Sequence, residues 1–337
     1  MTRTRAPGGG GAGAVSYVVT VYNKAPYLPY VIAGLAAQSG DFQREYIFVN
    51  DGSTDDSGAV LRRLTAGWSD VTIIDQENRG PAHASIAAVA GVRHAFIKPV
   101  GGDDVLTPTA TRALLAGIRE TGCGLAFGRS GRYRAGAGGD GHAPLAPSST
   151  ETGAVSKITD SFRYSVRRPP FSLVTALART DLVRAAGGLD PRLYILDYAI
   201  ALSLARRTCF ARVDKVIFLE PECAPGRMSE NQAQEQHDTN LALALQIADH
   251  PEIAPADRRL ALQRATSRAW LWARRHGGKT VFSVESARYL RAKLGLGPAD
   301  AAAMGATCAP FRATHDIRLM TPLPEHLRPG RMNRDRG

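Results

Sequence analysis

An α/β fold, with a mostly parallel sheet flanked by helices and a helical C-terminal extension, is what three features of the chain predict. Apolar runs rich in β-branched and aromatic residues, at 15–21, 45–49, 71–75 and 95–100, each break abruptly into a polar, turn-forming loop. Segments with apolar residues at helical spacing follow those loops, so strand and helix alternate. Beyond residue 231 only the helical period remains. Alternation of this kind implies right-handed crossovers, which place helices on both faces of a parallel sheet.

The first strand, 15–21, ends at Tyr22-Asn23-Lys24-Ala25-Pro26, and 27–38 then carries Leu28, Val31, Ile32 and Leu35 on one helical face. The second runs into Asn50-Asp51-Gly52-Ser53 before a helix over 56–64. Ligands of open α/β sheets collect beyond the carboxyl ends of strands. In that loop Asp51 offers a carboxylate to a nucleobase imide or a ribose hydroxyl, and Gly52 permits close backbone approach. The same residues equally suit a plain turn with a helix cap. A third strand over 71–75, a loop over 76–81 and a short helix over 83–92 lead to the fourth strand. It ends at Gly101-Gly102-Asp103-Asp104, where adjacent carboxylates form either a hard-oxygen site for Mg²⁺ or Mn²⁺ or a cap for the helix that Thr107-Pro108 opens.

A fifth strand is expected over 125–134, an aperiodic loop over 135–149, a strand over 171–177 and a short helix over 181–186. Ile195-Leu196-Asp197-Tyr198 begins another helix, at whose start an Asp is commonly a cap. A strand over 213–219 and an irregular stretch over 221–229 precede helices over 231–248, 256–276 and 284–294.

At 337 residues and 44% apolar, the chain suffices for a substantial core. Its four cysteines include no Cys-x-x-Cys pair, which argues against a zinc site and a disulfide framework and favours a reducing cytoplasm. No apolar run approaches the ~20 residues of a membrane helix, and the opening Arg/Gly-rich residues lack the apolar segment of a signal peptide. The net charge of +11 is concentrated at the end: residues 257–337 hold 16 Lys/Arg and 6 Asp/Glu. Such an excess suits a peripheral contact with an anionic membrane surface, or merely a solvated helical face. Aromatic interleaving is too thin there for a nucleic-acid platform, so no nucleic acid is expected. Trp270 and Trp272 read either as bilayer contacts or as packing residues.

Order and spacing add what single motifs lack. Thr20-Val21-Tyr22-Asn23, Asn50-Asp51-Gly52-Ser53-Thr54-Asp55, Glu77-Asn78-Arg79-Gly80-Pro81-Ala82, Gly101-Gly102-Asp103-Asp104-Val105-Leu106-Thr107-Pro108, and Gly187-Gly188-Leu189-Asp190 leading to Leu196-Asp197-Tyr198 together resemble the family 2 glycosyltransferases. The resemblance spans about residues 15–230 and implies the Rossmann-like GT-A fold. Its nucleotide-binding part would be 15–134 and its acceptor part 150–230, between a disordered tail at 1–14, a helical extension over 231–320 and a disordered basic tail over 321–337.

The resemblance further implies an inverting transfer of a sugar from a nucleotide-sugar donor to a glycan, lipid-linked or other hydroxyl acceptor. The setting it suggests is cell-envelope or exported polysaccharide synthesis, in the cytoplasm or at the inner face of the membrane. Val21, Tyr22, Asn23, Asn50, Asp51, Ser53, Arg79, Gly80, Gly102 and Asp103 would line the donor site. Asp103, with Asp104, would hold Mg²⁺ or Mn²⁺, and Asp197 would be the general base. Five departures accompany the match: Thr20 stands for a proline, Asn50 and Gly101 for acids, Ala84-Ser85-Ile86 for Ala-Arg-Asn, and Leu196 for a glutamate. These losses motivate an alternative, a catalytically degenerate relative that binds a nucleotide-sugar or a partner without turnover.

Overall fold

Alternation within the first strand decides which face of the sheet each residue serves. In β1 (Ala14–Val21), Val15, Tyr17, Val19 and Val21 enter one core and Val18 the other, as the two-residue strand period requires. β2 (Gln43–Asp51) repeats this, with Tyr46 and Phe48 on the first face and Ile47 and Val49 on the second. The computed structural model describes residues 13–134, 152–167, 169, 171–222 and 231–319.

β3 (Val71–Gln76) and β4 (Phe96–Gly101) extend this pair in parallel, in the order β3-β2-β1-β4. α1 (Leu28–Ala36), α2 (Ser57–Thr65) and α4 (Ala110–Thr121) cover the first face, and α3 (Pro81–Ala90) the second. Because β1 lies between β2 and β4, the strand order reverses there. The crevice beyond the carboxyl ends of β1 and β4 is therefore the place for a ligand.

The other half of the sheet is mixed rather than parallel. β8 (Ala176–Arg179) runs antiparallel between β4 and β6 (Leu125–Tyr133), while β9 (Phe210–Pro221) lies parallel to β6. β5 (Val105–Leu106) and β7 (Val155–Ile158) join β9 antiparallel. Periodicity reveals strands, but their direction depends on connections that it does not encode. β5, β7 and α5 (Ser161–Arg167) were not foreseen because they are too short to show a period. The strand expected over 171–177 is instead a 3₁₀ turn, Leu173–Thr175, that leads into β8. There the Thr175 N–H and hydroxyl both donate to the Ser172 carbonyl, at 2.9 and 2.7 Å, and Lys98 donates to the Val174 carbonyl.

α6 (Thr180–Ala185) and α7 (Asp197–Ala205) precede β9, and α8 (Gln232–Asp249), α9 (Pro255–His276), α10 (Val284–Lys293), α11 (Ala301–Gly305) and α12 (Ala309–Arg312) follow it. Leu241, Leu243 and Leu245 of α8 and Leu262 and Ala265 of α9 share the second core with α3, α7 and Val18. The C-terminal helices are thus built onto the sheet. Trp270 and Trp272 are buried, with the Trp272 indole donating to the Thr314 hydroxyl at 2.9 Å and stacking on His276, so neither is a bilayer contact.

Cys123, just after α4, and Cys209, just before β9, form a disulfide with Cα atoms 5.0 Å apart. This overturns the expectation of unpaired thiols and removes cysteine usage as an argument for a reducing compartment. The partners are 86 residues apart, so only the tertiary fold could pair them. No helix among the described residues is long and apolar enough to cross a membrane. The expectations for residues 1–12, for the 135–149 loop, for most of 221–229 and for the tail from 321 lie outside the described residues.

Candidate active site at the carboxyl ends of the parallel strands

Three loops are drawn together beyond β1, β2 and β4. The loop after β1 is bonded to the loop after β2. Asn23, held at φ 51°, accepts the Thr54 N–H at 2.8 Å through its side-chain carbonyl, and its own N–H donates to the Ser53 hydroxyl at 3.1 Å. The Lys24 N–H donates to the Ser57 hydroxyl at 2.7 Å and the Ala25 N–H to the Asp55 carboxylate at 3.1 Å. Val21 is buried beneath this junction and the Tyr22 ring is exposed above it. Asn50 donates to Asp75 at 2.9 Å and its carbonyl accepts the Ser53 N–H, so its side chain shapes the loop.

Asp51 is buried and already well used. Its carboxylate accepts from the Gln76 amide at 2.7 Å and from the Arg79 and Gly80 N–H groups at 3.0 Å each. Three donors occupy most of a carboxylate's roughly four acceptor sites, which makes Asp51 the residue that fastens the 78–80 loop to β2. Gly52 allows the same approach: at φ +68°, a Cβ there would lie 2.5 Å from the Asn78 nitrogen. The Arg79 side chain is exposed and makes no ion pair among the described residues.

The third loop carries the acids. Gly102, Asp103 and Asp104 are buried, and the Lys24 ammonium donates to Asp103 Oδ2 at 2.7 Å, tying the β1 and β4 loops together. A Cβ on Gly101 would fall onto the Asp104 carboxylate and within 3.4 Å of Asp103 Oδ1. Both carboxylates therefore edge the space that a side chain at 101 would fill. The buried Tyr133 hydroxyl donates to the Asp103 carbonyl at 3.1 Å, and burial with the two nearby carboxylates keeps that phenol far above its ordinary pKa.

Two hard-oxygen side chains facing one space fit the coordination of Mg²⁺ or Mn²⁺ completed by phosphate and water oxygens. No group of three or more potential ligating side chains occurs among the described residues, so the protein's share of such a site would be Asp103 and Asp104.

Asp197, at the first turn of α7, does not cap its own helix. Its carboxylate accepts from the Ser172 hydroxyl and the Leu173 N–H. Burial nonetheless holds it above the ordinary carboxylate pKa, with those two bonds pulling the other way. The 172–175 segment that holds it is also bonded by Lys98, fully buried on β4, whose ammonium donates to the Val174 carbonyl. A short path thus runs from the Asp103–Asp104 loop through β4 to Asp197. Burial first, then the Asp197 charge, raises Glu235 on α8 as well. Glu235 brings a carboxylate near Asp197 from a different element, where the sequence has Leu196 next to it.

Lys24, Ser172, Lys98, Glu235 and Asp238 were missed by sequence reasoning. Asp238 is buried on α8 and accepts the Tyr194 and Ile195 N–H groups at 3.2 and 2.9 Å, fixing the entry to α7. The signal for it lay in the polar run Gln234-Glu235-Gln236-His237-Asp238, unusual in a helix that also carries a leucine-rich buried face.

Comparison with known proteins agrees with this geometry. Residues 16–172 match the family model described as Glycosyl transferase family 2. Among curated relatives, Glycosyltransferase GlyG of Streptococcus pneumoniae is 28% identical over 121 residues, 35% of this chain and 40% of that protein. Chondroitin synthase of Pasteurella multocida is 33% identical over 101 residues, 30% of this chain and 10% of that protein. The matched part therefore spans less than half the length of either. Among solved structures, S. aureus TarS 1-349 in complex with UDP-GlcNAc aligns with a TM-score of 0.62 at 16% identity, covering 89% of this chain and 88% of that one. Mannosyltransferase PcManGT from Pyrobaculum calidifontis, in complex with GDP-Man and Mn2+, aligns at 0.55 and 18% identity, covering 90% and 83%. Those likenesses establish the fold, a mixed α/β sheet of the GT-A type. The family match covers the strands and loops that build the cleft, so residues 16–172 form a family 2 glycosyltransferase domain.

Proposed function

We propose that this chain transfers a sugar from a nucleotide-sugar donor to an acceptor hydroxyl with inversion at the anomeric carbon. The observation that carries the reading is Asp197: a carboxylate of raised proton affinity, fixed by Ser172 and Leu173 on a segment clamped to the strand that leads to Asp103 and Asp104. A carboxylate so placed accepts the acceptor's proton as its oxygen attacks, and the raised pKa brings its basicity nearer the working pH. The loops after β1, β2 and β3, with Tyr22, Asn23, Asn50, Ser53, Arg79 and Gly80, provide the wall for the nucleoside, and Asp51 holds that wall in shape. Asp103 and Asp104 would hold Mg²⁺ or Mn²⁺, which when bound neutralises charge on the donor diphosphate. Lys24 sets the position of Asp103 before any donor arrives.

The family match over 16–172 and the nucleotide-sugar complexes of the structural neighbours support this donor class. An acceptor in cell-envelope or exported glycan synthesis accords with the synthase relative. Purified protein is to be incubated with UDP-, GDP- and dTDP-sugars and Mn²⁺, following nucleotide release and donor-induced rise in melting temperature. Asp197→Asn is expected to lower kcat by about 10²–10⁴-fold while keeping the donor-induced rise. Turnover unchanged in that variant would remove Asp197 as the base.

A second reading, a degenerate relative that binds donor without turnover, is favoured by the Lys24–Asp103 ion pair and by Gly101 in place of an acid. It predicts a donor-induced melting shift with no nucleotide release for any acceptor.

A further inference from the structure

Residues 271–299 contain six Lys/Arg, namely Arg274, Arg275, Lys279, Arg288, Arg291 and Lys293, against the single acid Glu285. All six are exposed, and none is ion-paired among the described residues. Amid them lies an uncovered apolar surface. Phe282, at the tip of the turn between α9 and α10, is 95% exposed, beside the exposed Val281. On α10, Ser286 and Ala292 face inward, while Val284, Ala287, Leu290 and, just past the helix end, Leu294 follow one outward stripe. Leu294 is 72% exposed and Leu296 55%. Gly295, at φ +70°, ends the helix, and the Leu296 N–H returns to the Arg291 carbonyl at 2.8 Å, so the exposed leucines sit on a defined turn.

We propose that this face, Phe282 with the α10 stripe, docks the enzyme on an anionic lipid bilayer. A projecting aromatic, an outward leucine stripe and a surrounding ring of cations form the pattern of an interfacial helix, whose apolar side enters the acyl boundary while Lys and Arg meet anionic headgroups. Charge decides between occupants. A second copy of this chain would bring the same unpaired cations against one another, and the sequence at 320–337 is itself net basic, with four Arg against two acids. An anionic membrane matches both the apolar stripe and the sign of its rim. The proposal is independent of sugar transfer.

The test uses the full chain and vesicles of phosphatidylglycerol and phosphatidylcholine in equal parts, with vesicles of phosphatidylcholine alone beside them. The wild type is expected to co-sediment with the anionic vesicles only and to be released by salt. The double variant Phe282→Glu, Leu294→Glu is expected to bind at least about tenfold more weakly at an unchanged melting temperature, both positions being exposed. Absence of wild-type binding, or equal binding by the variant, overturns the proposal. So does light scattering that shows a wild-type dimer converted to monomer by the variant, which would assign the face to a second copy. Loss of binding on truncation after Leu319, with binding retained by the double variant, would place the contact in the C-terminal tail and equally overturn it.

Discussion

Gly101 shows how one residue's lack of a side chain can carry the site. The family pattern has an acid there, yet in this chain a Cβ at 101 would fall onto the Asp104 carboxylate. Because the obstacle is the end of a short side chain, Gly101→Ala is expected to move Asp104 rather than unfold the protein. Stability in urea should change by about 1–2 kcal/mol. The Mn²⁺ dependence of donor binding should weaken by about tenfold or more. Unaltered Mn²⁺ dependence would mean that Asp104 stands outside the donor site. Asp51 is the contrasting case. A motif that reads as a ligand contact turns out to hold its own loop, because the Gln76, Arg79 and Gly80 donors reach it first.

Among the elements, β4 links the Asp103–Asp104 loop to the segment that holds Asp197. Lys98 is fully buried on it, and burial drives its ammonium down to about 7, with Asp104 opposing the shift. The folded protein therefore binds fewer protons here than the unfolded chain between about pH 7 and the ordinary lysine value near 10.4. In that window stability gains with rising pH; below about 7 both states carry the proton and the cost of a buried charge is complete. Urea melts from pH 6 to 10 should show Lys98→Met with a shallower rise than the wild type. Identical slopes would mean that Lys98 stays charged. Since Lys98 also grips the Val174 carbonyl, the same variant should loosen the segment that holds Asp197.

At the scale of the molecule, the disulfide joins the end of α4 to the start of β9 across 86 residues of chain. Closing so long a loop restricts the unfolded ensemble, and the chain-entropy relation gives about 4.6 kcal/mol as an upper figure. Cys123→Ser is thus expected to lower stability by about 2–4 kcal/mol under oxidising conditions and by nothing further under dithiothreitol. Equal stability of wild type and variant without reductant would show that the bond contributes nothing. The same view explains α8: its buried Gln234, His237, Asp238 and Asn240 look misplaced in a helix until the surrounding elements supply partners such as the Tyr194 and Ile195 N–H groups.

What the sequence by itself determined was local and repetitive: strands β1 to β4 with their helices, the polar loops that end them, and the ordered motifs that identify the family. Periodicity and turn chemistry act over a few residues, so they are legible along the chain. Only the tertiary structure decided that β8 runs antiparallel, that Cys123 meets Cys209, that Lys24 takes Asp103, and that the 172–175 segment couples Lys98 to Asp197. Each of these joins groups far apart in sequence, where pairing follows from the packing of whole elements and leaves no pattern in the chain itself.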